Sequence, residues 1–511
     1  MSFDYATIKP ITRAIRANRQ AAKRHYGVHP YFTRRPPNVV RSYILHYSRP
    51  GDRVLDPFGG SGVTAIEAFL ENRHGIQNDI NPLGNFIAEN IADLGRTDTA
   101  YIEQAFRNIE RECRDRLLSV AACSDNEVED LLRREKLPKN IALPSNSDVE
   151  NFHELFTRRQ LLSLAILKNA VDRLDDEGAK GQLLLAWSAT CGKLNRTFLS
   201  AKGRAESRGG SSVFSIYRYK VAKRPVELPA WQTFDERVGN IVRAKQEVLK
   251  KIEYLRASRG FTGVFERHSE DVRSLPKIVS PVDYIFTDPP YGGHIAYLDL
   301  STIWNHWLGF RVPDPLRRHE IIVGGELNKS EDDYISSLRA SIKTCFRLLK
   351  PHRWMSVVFQ HWNTAYFEAI LEAAEESGGE LRSAVSQVGD TVWSMHKKKN
   401  LARVLMGEMI LTFFKEGAKP KQTRPSNGIA LGQLVDAVLP TLHMRHNGFH
   451  GELLFNRLIV EAWRLNALHT LRFERDDFIR LLETRGWHYD PRLHSWMKGR
   501  AVQSQGSLFA D

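Results

Sequence analysis

The sequence predicts a doubly wound α/β protein, with a mostly parallel sheet covered by helices, a long helical and basic insertion, and a small C-terminal α+β module. Three observations predict it. Residues 284–286 are a short apolar run of the kind buried between two layers of helices, and they stop at Asp288-Pro-Pro-Tyr291, where two prolines fix φ and remove N–H donors. Asp52-Arg-Val-Leu-Asp-Pro-Phe-Gly-Gly-Ser-Gly-Val-Thr64 reads as strand, tight glycine turn and helix. Amphipathic helical periods over 334–349 and 364–376 flank another apolar strand at 354–360.

At 511 residues the chain is long enough for about three domains. Hydrophobic residues make up 42% of it and aromatics 10%, which indicates a folded chain with a large core. A net charge of +13 points to a polyanionic partner without identifying it. Cys113, Cys123, Cys191 and Cys345 are scattered, with no CxxC, so neither a disulfide framework nor a zinc site is expected, and no other metal is required. The first twenty residues lack a signal-peptide core and no run reaches the length of a membrane span. A cytoplasmic setting away from membranes is the default expectation.

Taken in order, residues 1–36 form a basic N-terminal arm carrying Arg13, Arg16, Arg19, Lys23 and Arg24, either a solvated helix face or a phosphate contact. The irregular, aromatic His29-Pro-Tyr-Phe-Thr-Arg-Arg-Pro-Pro37 follows, then a helix over 39–47 and the first half of the sheet over 37–96. Gly59, Gly60 and Gly62 let backbone approach a ligand closely at a helix N-terminus. A strand over 75–78 ends at Asp79, twenty positions after Gly59, the spacing at which a carboxylate meets ribose hydroxyls in a βαβ unit. Gly60-Ser-Gly62-Val-Thr-Ala65 also fits a dinucleotide fingerprint, a weak pattern alone. Asp56-Pro57-Phe58 ahead of the glycines is more typical of S-adenosylmethionine sites, where a negative charge lies near the ligand's cationic half.

Residues 97–261 form the insertion. Its stretches 99–117 and 152–174 have helical period, 125–148 is expected to be loop-rich, and 235–256 is a charged scaffold helix. The segment 195–224 differs: Arg196, Lys202, Arg204, Arg208, Arg218, Lys220, Lys223 and Arg224 face a single acid, Glu206, with Phe198, Phe214, Tyr217 and Tyr219 interleaved. That mixture suits a loop that grips a nucleic-acid backbone and probes bases; a solvated basic hairpin is the plainer alternative. The second half of the sheet spans 262–415 and closes with a hairpin over 384–395 and 404–414, Lys397–Lys399 at its tip. After a linker at 415–426, residues 427–511 read as helices over 429–442, 453–466 and 478–486, with Trp487-His-Tyr489 and Trp496 as a strand pair. That is a winged-helix-like module, and 503–511 is a loose tail.

The loop at Asp288 offers a carboxylate, the Pro289 carbonyl and the Tyr291 ring in stiff geometry, with Pro290 locking the turn. This set suits methylation of the exocyclic amine of a nucleobase. The lone pair of such an amine is delocalised into the ring. Two acceptors, each taking one N–H, localise it and stabilise the developing positive charge, while Tyr291 stacks on a base flipped out of the helix.

Asp56-Pro-Phe-Gly-Gly-Ser-Gly62 together with Asp288-Pro-Pro-Tyr291 resembles the cofactor and catalytic motifs of the amino-group DNA methyltransferases, which make N6-methyladenine or N4-methylcytosine. The resemblance covers about 30–95 and 264–415. It implies a seven-stranded methyltransferase sheet and S-adenosylmethionine as cofactor, held by Asp56, Pro57, Phe58, Gly59, Gly60, Gly62 and Asp79. His29-Pro30-Tyr31 is similar to the family's segment lining the methionine end of the cofactor, and Asp271, in Ser269-Glu-Asp271, to the acid that reaches its adenine. The motif order departs from the commonest arrangements, because the insertion precedes the third motif. The segment 195–224 is therefore the favoured reader of sequence, with Arg196, Arg204, Arg208, Tyr217, Arg218 and Lys220 as contacts, and the C-terminal module is second.

The activity expected is a site-specific transfer to a base in double-stranded DNA. Asp rather than Ser at position 288 favours adenine N6 over cytosine N4. A cognate nuclease or defence proteins are candidate partners. An RNA guanine-N2 methyltransferase is the nearest rival, since that family also carries Asp-Pro-Pro-Tyr. A DNA-binding subunit holding the cofactor without turnover, and a nicotinamide-dependent oxidoreductase, stand further off.

Overall fold

Strand β6 (Val282–Thr287) is buried along its whole length because both of its faces are covered. Tyr284 and Phe286 enter one apolar core and Ile285 a second on the opposite face. The computed structural model describes residues 3–18, 24–93, 98–200, 209–388, 407–416, 428–444 and 448–499. Among these, seven strands form the main sheet in the order β5 (Val264–His268), β2 (His74–Asn78), β1 (Arg53–Asp56), β6, β7 (Leu349–Phe359), β9 (Gly407–Lys415), β8 (Gly379–Val388). The first five are parallel, and β9 runs antiparallel to both β7 and β8. The sheet is thus a doubly wound methyltransferase-type α/β sheet whose order reverses at β1, which opens a crevice at the carboxyl ends of β1 and β6.

One face is covered by the helices Pro37–Tyr47 and Val63–Leu70 together with the insertion, which shares a continuous core with it. Trp304 and Trp307, from the helix that follows the Asp288 turn, meet Phe214 and Trp187 of the insertion. The helices Thr99–Val120, Arg158–Asp172, Glu177–Cys191 and Ala230–Arg259 make up most of the insertion. The stretch expected to be loop-rich contains a helix, Asp125–Leu132. Its start carries a reciprocal cap, in which Ser124 and Glu127 satisfy each other's backbone N–H groups, and Val128 and Leu132 are buried. The basic segment forms a short hairpin of β3 (Phe198–Ser200) and β4 (Gly209–Ser211) and a helical turn.

The opposite face carries Glu331–Leu348, Thr364–Glu376 and the C-terminal module. That module has helices Leu431–Val438, Gly451–Arg464 and Arg475–Thr484. Its sheet has three strands, β10 (Gly448–Phe449), β12 (Ser495–Lys498) and β11 (Trp487–Asp490), one more than the expected pair. Phe455 packs on Trp362 and Phe367, which docks the module beside the carboxyl end of β7. The expected lysine tip of the closing hairpin, the linker and the tail lie wholly or mostly outside the described residues. No described helix is long and apolar enough to cross a membrane.

A candidate active site at the carboxyl edge of the sheet

The chain leaves β1 at Asp56 and turns through Gly59 and Gly60 into the Val63–Leu70 helix. Gly60 has φ +51°, and a Cβ there would lie 2.9 Å from the Tyr31 ring, so the turn admits only glycine at this approach. Asp56 buckles three elements together. Its Oδ1 accepts from the Phe58 N–H (3.1 Å) and the Thr287 hydroxyl (2.8 Å), and its Oδ2 from the Thr64 hydroxyl (2.8 Å). Burial outweighs these donors and pushes its carboxyl up to about 7. Asp79, at the end of β2, is likewise pushed up to about 6 by burial. Its two oxygens accept the Gly60 and Asn81 N–H groups, both at 2.7 Å. One lone pair per oxygen remains, the arrangement a cis-diol requires.

Asp288 follows β6 in a turn stiffened by Pro289 and Pro290, whose carbonyl accepts the Tyr334 hydroxyl at 2.6 Å. The Tyr291 hydroxyl donates to Asp288 Oδ1 at 2.6 Å, and Arg35 Nε donates to Oδ2 at 2.5 Å. Arg35 also donates to the Tyr291 hydroxyl at 3.0 Å and pairs with Glu408, the second residue of β9. Burial raises the Asp288 carboxyl, and the charge of Arg35 opposes the rise. A single cavity is lined by Asp56, Phe58, Gly59, Gly60 and Asp79 on one side and by Asp288 and Pro290 on the other. Among the charged residues of the wall, six carboxylates (Asp56, Asp79, Glu270, Asp271, Asp288, Glu320) outnumber two guanidiniums (Arg34, Arg35), which suits a ligand carrying a sulfonium and an ammonium group.

Residues 10–87, which include the whole glycine turn, match the family model described as DNA methylase, of N6/N4 type. Over that segment the chain is similar to the amino-group DNA methyltransferases. It is 21% identical over 420 residues to the Type II methyltransferase M.MjaII of Methanocaldococcus jannaschii, covering 71% of this chain and 76% of that protein. It is 21% identical over 287 residues to M.MvaI of Kocuria varians, covering 54% and 56%. A shorter stretch of 52 residues, 10% of this chain and 17% of the other, is 42% identical to M.XycI of Xanthomonas campestris pv. cyanopsidis. The chain thus spans about three quarters of the first relative and little more than half of the second.

The structure brings Tyr31, Pro57 and Asp271 to the same cavity wall as the glycine turn. Asp271 is already engaged there by Arg273 (2.6 Å) and His319 (2.8 Å), which together outweigh burial and lower its carboxyl. Other expected residues point elsewhere. His29 is buried, bonded through Nε2 to Ser188 of the insertion at 2.8 Å, and lowered by burial to about 3, so it fastens the insertion rather than lining the cavity. Pro30 is exposed and off the wall. Gly62 (φ +85°) is required for packing, since a Cβ would lie 2.5 Å from that of Ala88. Pro289 and Tyr291 stand behind the wall, the Tyr291 ring edge-on to Phe359 at 5.0 Å with the Arg35 guanidinium 5.7 Å from its centroid.

Arg196 donates to the Glu154 carbonyl at 2.7 Å, and Arg218 to the Asn146 carbonyl at 2.6 Å while pairing with Asp148. Both therefore also fasten parts of the insertion to one another, Arg196 through a carbonyl and Arg218 through a carbonyl and an ion pair. Lys220 is exposed, Tyr217 is half-buried with φ +57°, and Arg204 and Arg208 lie outside the described residues. Sequence reading missed Arg35 and Glu408. A Pro-Pro pair one position after Arg35 hinted at a fixed side chain, but nothing local to either residue signals a partner about 370 positions away.

Proposed function

We propose that the chain transfers a methyl group from S-adenosylmethionine to the exocyclic amine of a base flipped out of double-stranded DNA, adenine N6 in particular. The observation that carries this reading is the shared cavity, with the glycine turn on one wall and buried Asp288 on the other. Asp79 takes the ribose hydroxyls with its two remaining lone pairs. Asp56 and the neighbouring acids favour the cationic end, and Glu270, Asp271 and Val272 form the wall that meets the adenine. When bound, S-adenosylmethionine supplies a methyl group on an electron-poor sulfur. Asp288 on the cavity wall accepts one N–H of the base amine and the Pro289 carbonyl, behind that wall, takes the other once the base is seated against the turn, which localises the lone pair toward that carbon. As the N–C bond forms and the S–C bond breaks, the surplus amine proton passes to Asp288, whose proton affinity burial has raised. Positioning and charge stabilisation carry the step. A carboxylate at 288 rather than a hydroxyl supports adenine as the base. Lys220, Lys223, Arg224 and Tyr217 of the insertion are the described residues of the basic segment proposed to meet DNA.

Incubation with methyl-labelled S-adenosylmethionine and either plasmid DNA or tRNA, followed by nucleoside mass spectrometry, tests this. N6-methyladenine in DNA is expected. N4-methylcytosine would change the base assigned, and label confined to tRNA would overturn the reading.

A further inference from the structure

Strand alternation gathers a row of charged groups beside the catalytic turn. Tyr284 and Phe286 of β6 share a core with Ile410 and Phe414 of β9, so Asp288 and Glu408 emerge on that same face. They come from strands on either side of β7, where Phe359 pairs with Met409 and Thr287 with Val357. Arg35 spans the gap. It bonds Asp288 Oδ2 through Nε, the Tyr291 hydroxyl through Nη2 and Glu408 through Nη1. Its side chain is only 15% exposed, against 20% for Asp288 and 26% for Glu408, so the network is poorly screened by water. Pro36 and Pro37, at the start of the Pro37–Tyr47 helix, fix the backbone from which Arg35 projects.

We infer that Arg35 and Glu408 are positioning residues for methyl transfer. Arg35 fixes the Asp288 carboxylate toward the incoming amine, and Glu408 cancels the charge that Arg35 brings. The inference rests on the proposed amine methylation. The lone pairs allow it: Tyr291 takes one on Oδ1 and Arg35 one on Oδ2, leaving a second on each oxygen for the base. Arg35 therefore does not have to leave. The charges require Glu408. An uncompensated guanidinium would repel both the methyl donor and the ammonium that develops on the base, whereas one cation between two carboxylates leaves a net charge of minus one. Without Arg35 the two carboxylates would face each other across a buried gap, and one would hold a proton. A protonated Asp288 presents a hydroxyl that donates where an acceptor is needed.

The other charged or titratable groups around Asp288 are Tyr291, Tyr297, Asp56 across the cavity and Arg34 on the same wall, which is turned to Ser61 and to the Tyr26 and His29 carbonyls and is unchanged in every variant. Removing Arg35 and removing Glu408 should therefore shift the reaction's pH dependence in opposite directions. The test is the pH profile of transfer to DNA for wild type, Arg35→Gln, Arg35→Lys and Glu408→Gln, with S-adenosylmethionine affinity and thermal melting measured in parallel. In Arg35→Gln the acid limb should move up by about 1–3 pH units, because a carboxylate beside a cation is held down by that much. Arg35→Lys, which keeps the cation, should reverse most of that shift. Glu408→Gln should move the limb down and slow transfer on the plateau. An acid limb that coincides with that of wild type in an active, folded Arg35→Gln protein, or one displaced as far in Arg35→Lys as in Arg35→Gln, would refute the inference while leaving the functional reading intact. A wild-type protein that methylates no DNA at any pH would remove both.

Discussion

Asp56→Asn is expected to stabilise this protein at alkaline pH and to weaken its hold on S-adenosylmethionine. The Asp56 carboxyl, ordinarily at 3.8, is lifted by burial to about 7 even though three donors bond it. The native state therefore binds the proton more tightly than the unfolded chain. The stability this confers is fully present below about pH 4 and is lost as the pH rises through about 7. About three pH units at ~1.4 kcal/mol each amounts to about 4 kcal/mol. Asparagine cannot ionise and is nearly the same size. Its carbonyl keeps the Phe58 and Thr287 donors, and its amide can donate to the Thr64 hydroxyl, at a cost of about 1 kcal/mol for the altered bond. The variant should then be more stable than wild type by about 3 kcal/mol near pH 8 and slightly less stable near pH 4. Urea unfolding followed by tryptophan fluorescence across that range measures the difference. The difference between variant and wild type should climb by ~1.4 kcal/mol per pH unit. A flat difference would show that Asp56 does not change ionisation there, and the argument from burial would fail.

Asp288→Ala should lower transfer by at least about 10²–10³-fold, the scale of losing one preorganised acceptor, with S-adenosylmethionine affinity changed only a few-fold. Gly75→Ala should destabilise by about 3 kcal/mol with no change in affinity of the folded fraction, because a Cβ there would lie 2.0 Å from the Ala65 carbonyl oxygen; chemical denaturation checks it. Lys220→Ala should reduce the salt dependence of DNA binding by about 0.9 in the log–log slope. Arg218→Ala should instead lower the melting temperature, because its partners are Asp148 and the Asn146 carbonyl. Exchanging the insertion between relatives should move methylation to a new sequence, read by single-molecule sequencing; retention of the original site would mean that another segment reads DNA.

The parts legible in the sequence are those in which function and local backbone coincide. A strand ending in Asp-Pro-Pro, and another ending in a glycine turn, announce the carboxyl edge of a parallel sheet without any tertiary information. The small helix at Asp125 was equally legible through its Ser-x-x-Glu cap and was missed by attending to composition alone. The basic insertion misled for a different reason. Counting cations in a segment cannot separate Lys220, which reaches solvent, from Arg196 and Arg218, whose guanidiniums bond carbonyls and, for Arg218, a carboxylate of their own domain. His29 failed in the same way: its neighbour Tyr31 reaches the cavity, whereas the imidazole turns to Ser188, a contact between segments about 160 positions apart.

The charge of the molecule is divided by location, and the division follows from its two proposed ligands. The chain as a whole carries +13, yet the cavity wall collects Asp56, Asp79, Glu270, Asp271, Asp288 and Glu320. Burial raises Asp56, Asp79 and Glu320 to about 7, 6 and 7, so ionising them in the cavity costs free energy. A cationic ligand offsets that cost, whereas a neutral one of the same shape does not. Sinefungin, which keeps an ammonium where the sulfonium would be, should therefore bind more tightly as the pH rises from about 6 to about 8, as these acids ionise. S-adenosylhomocysteine, which lacks that positive charge, should gain much less over the same interval. Equal gains would mean that the acids hold hydroxyls and backbone only, and that charge selects neither ligand over the other.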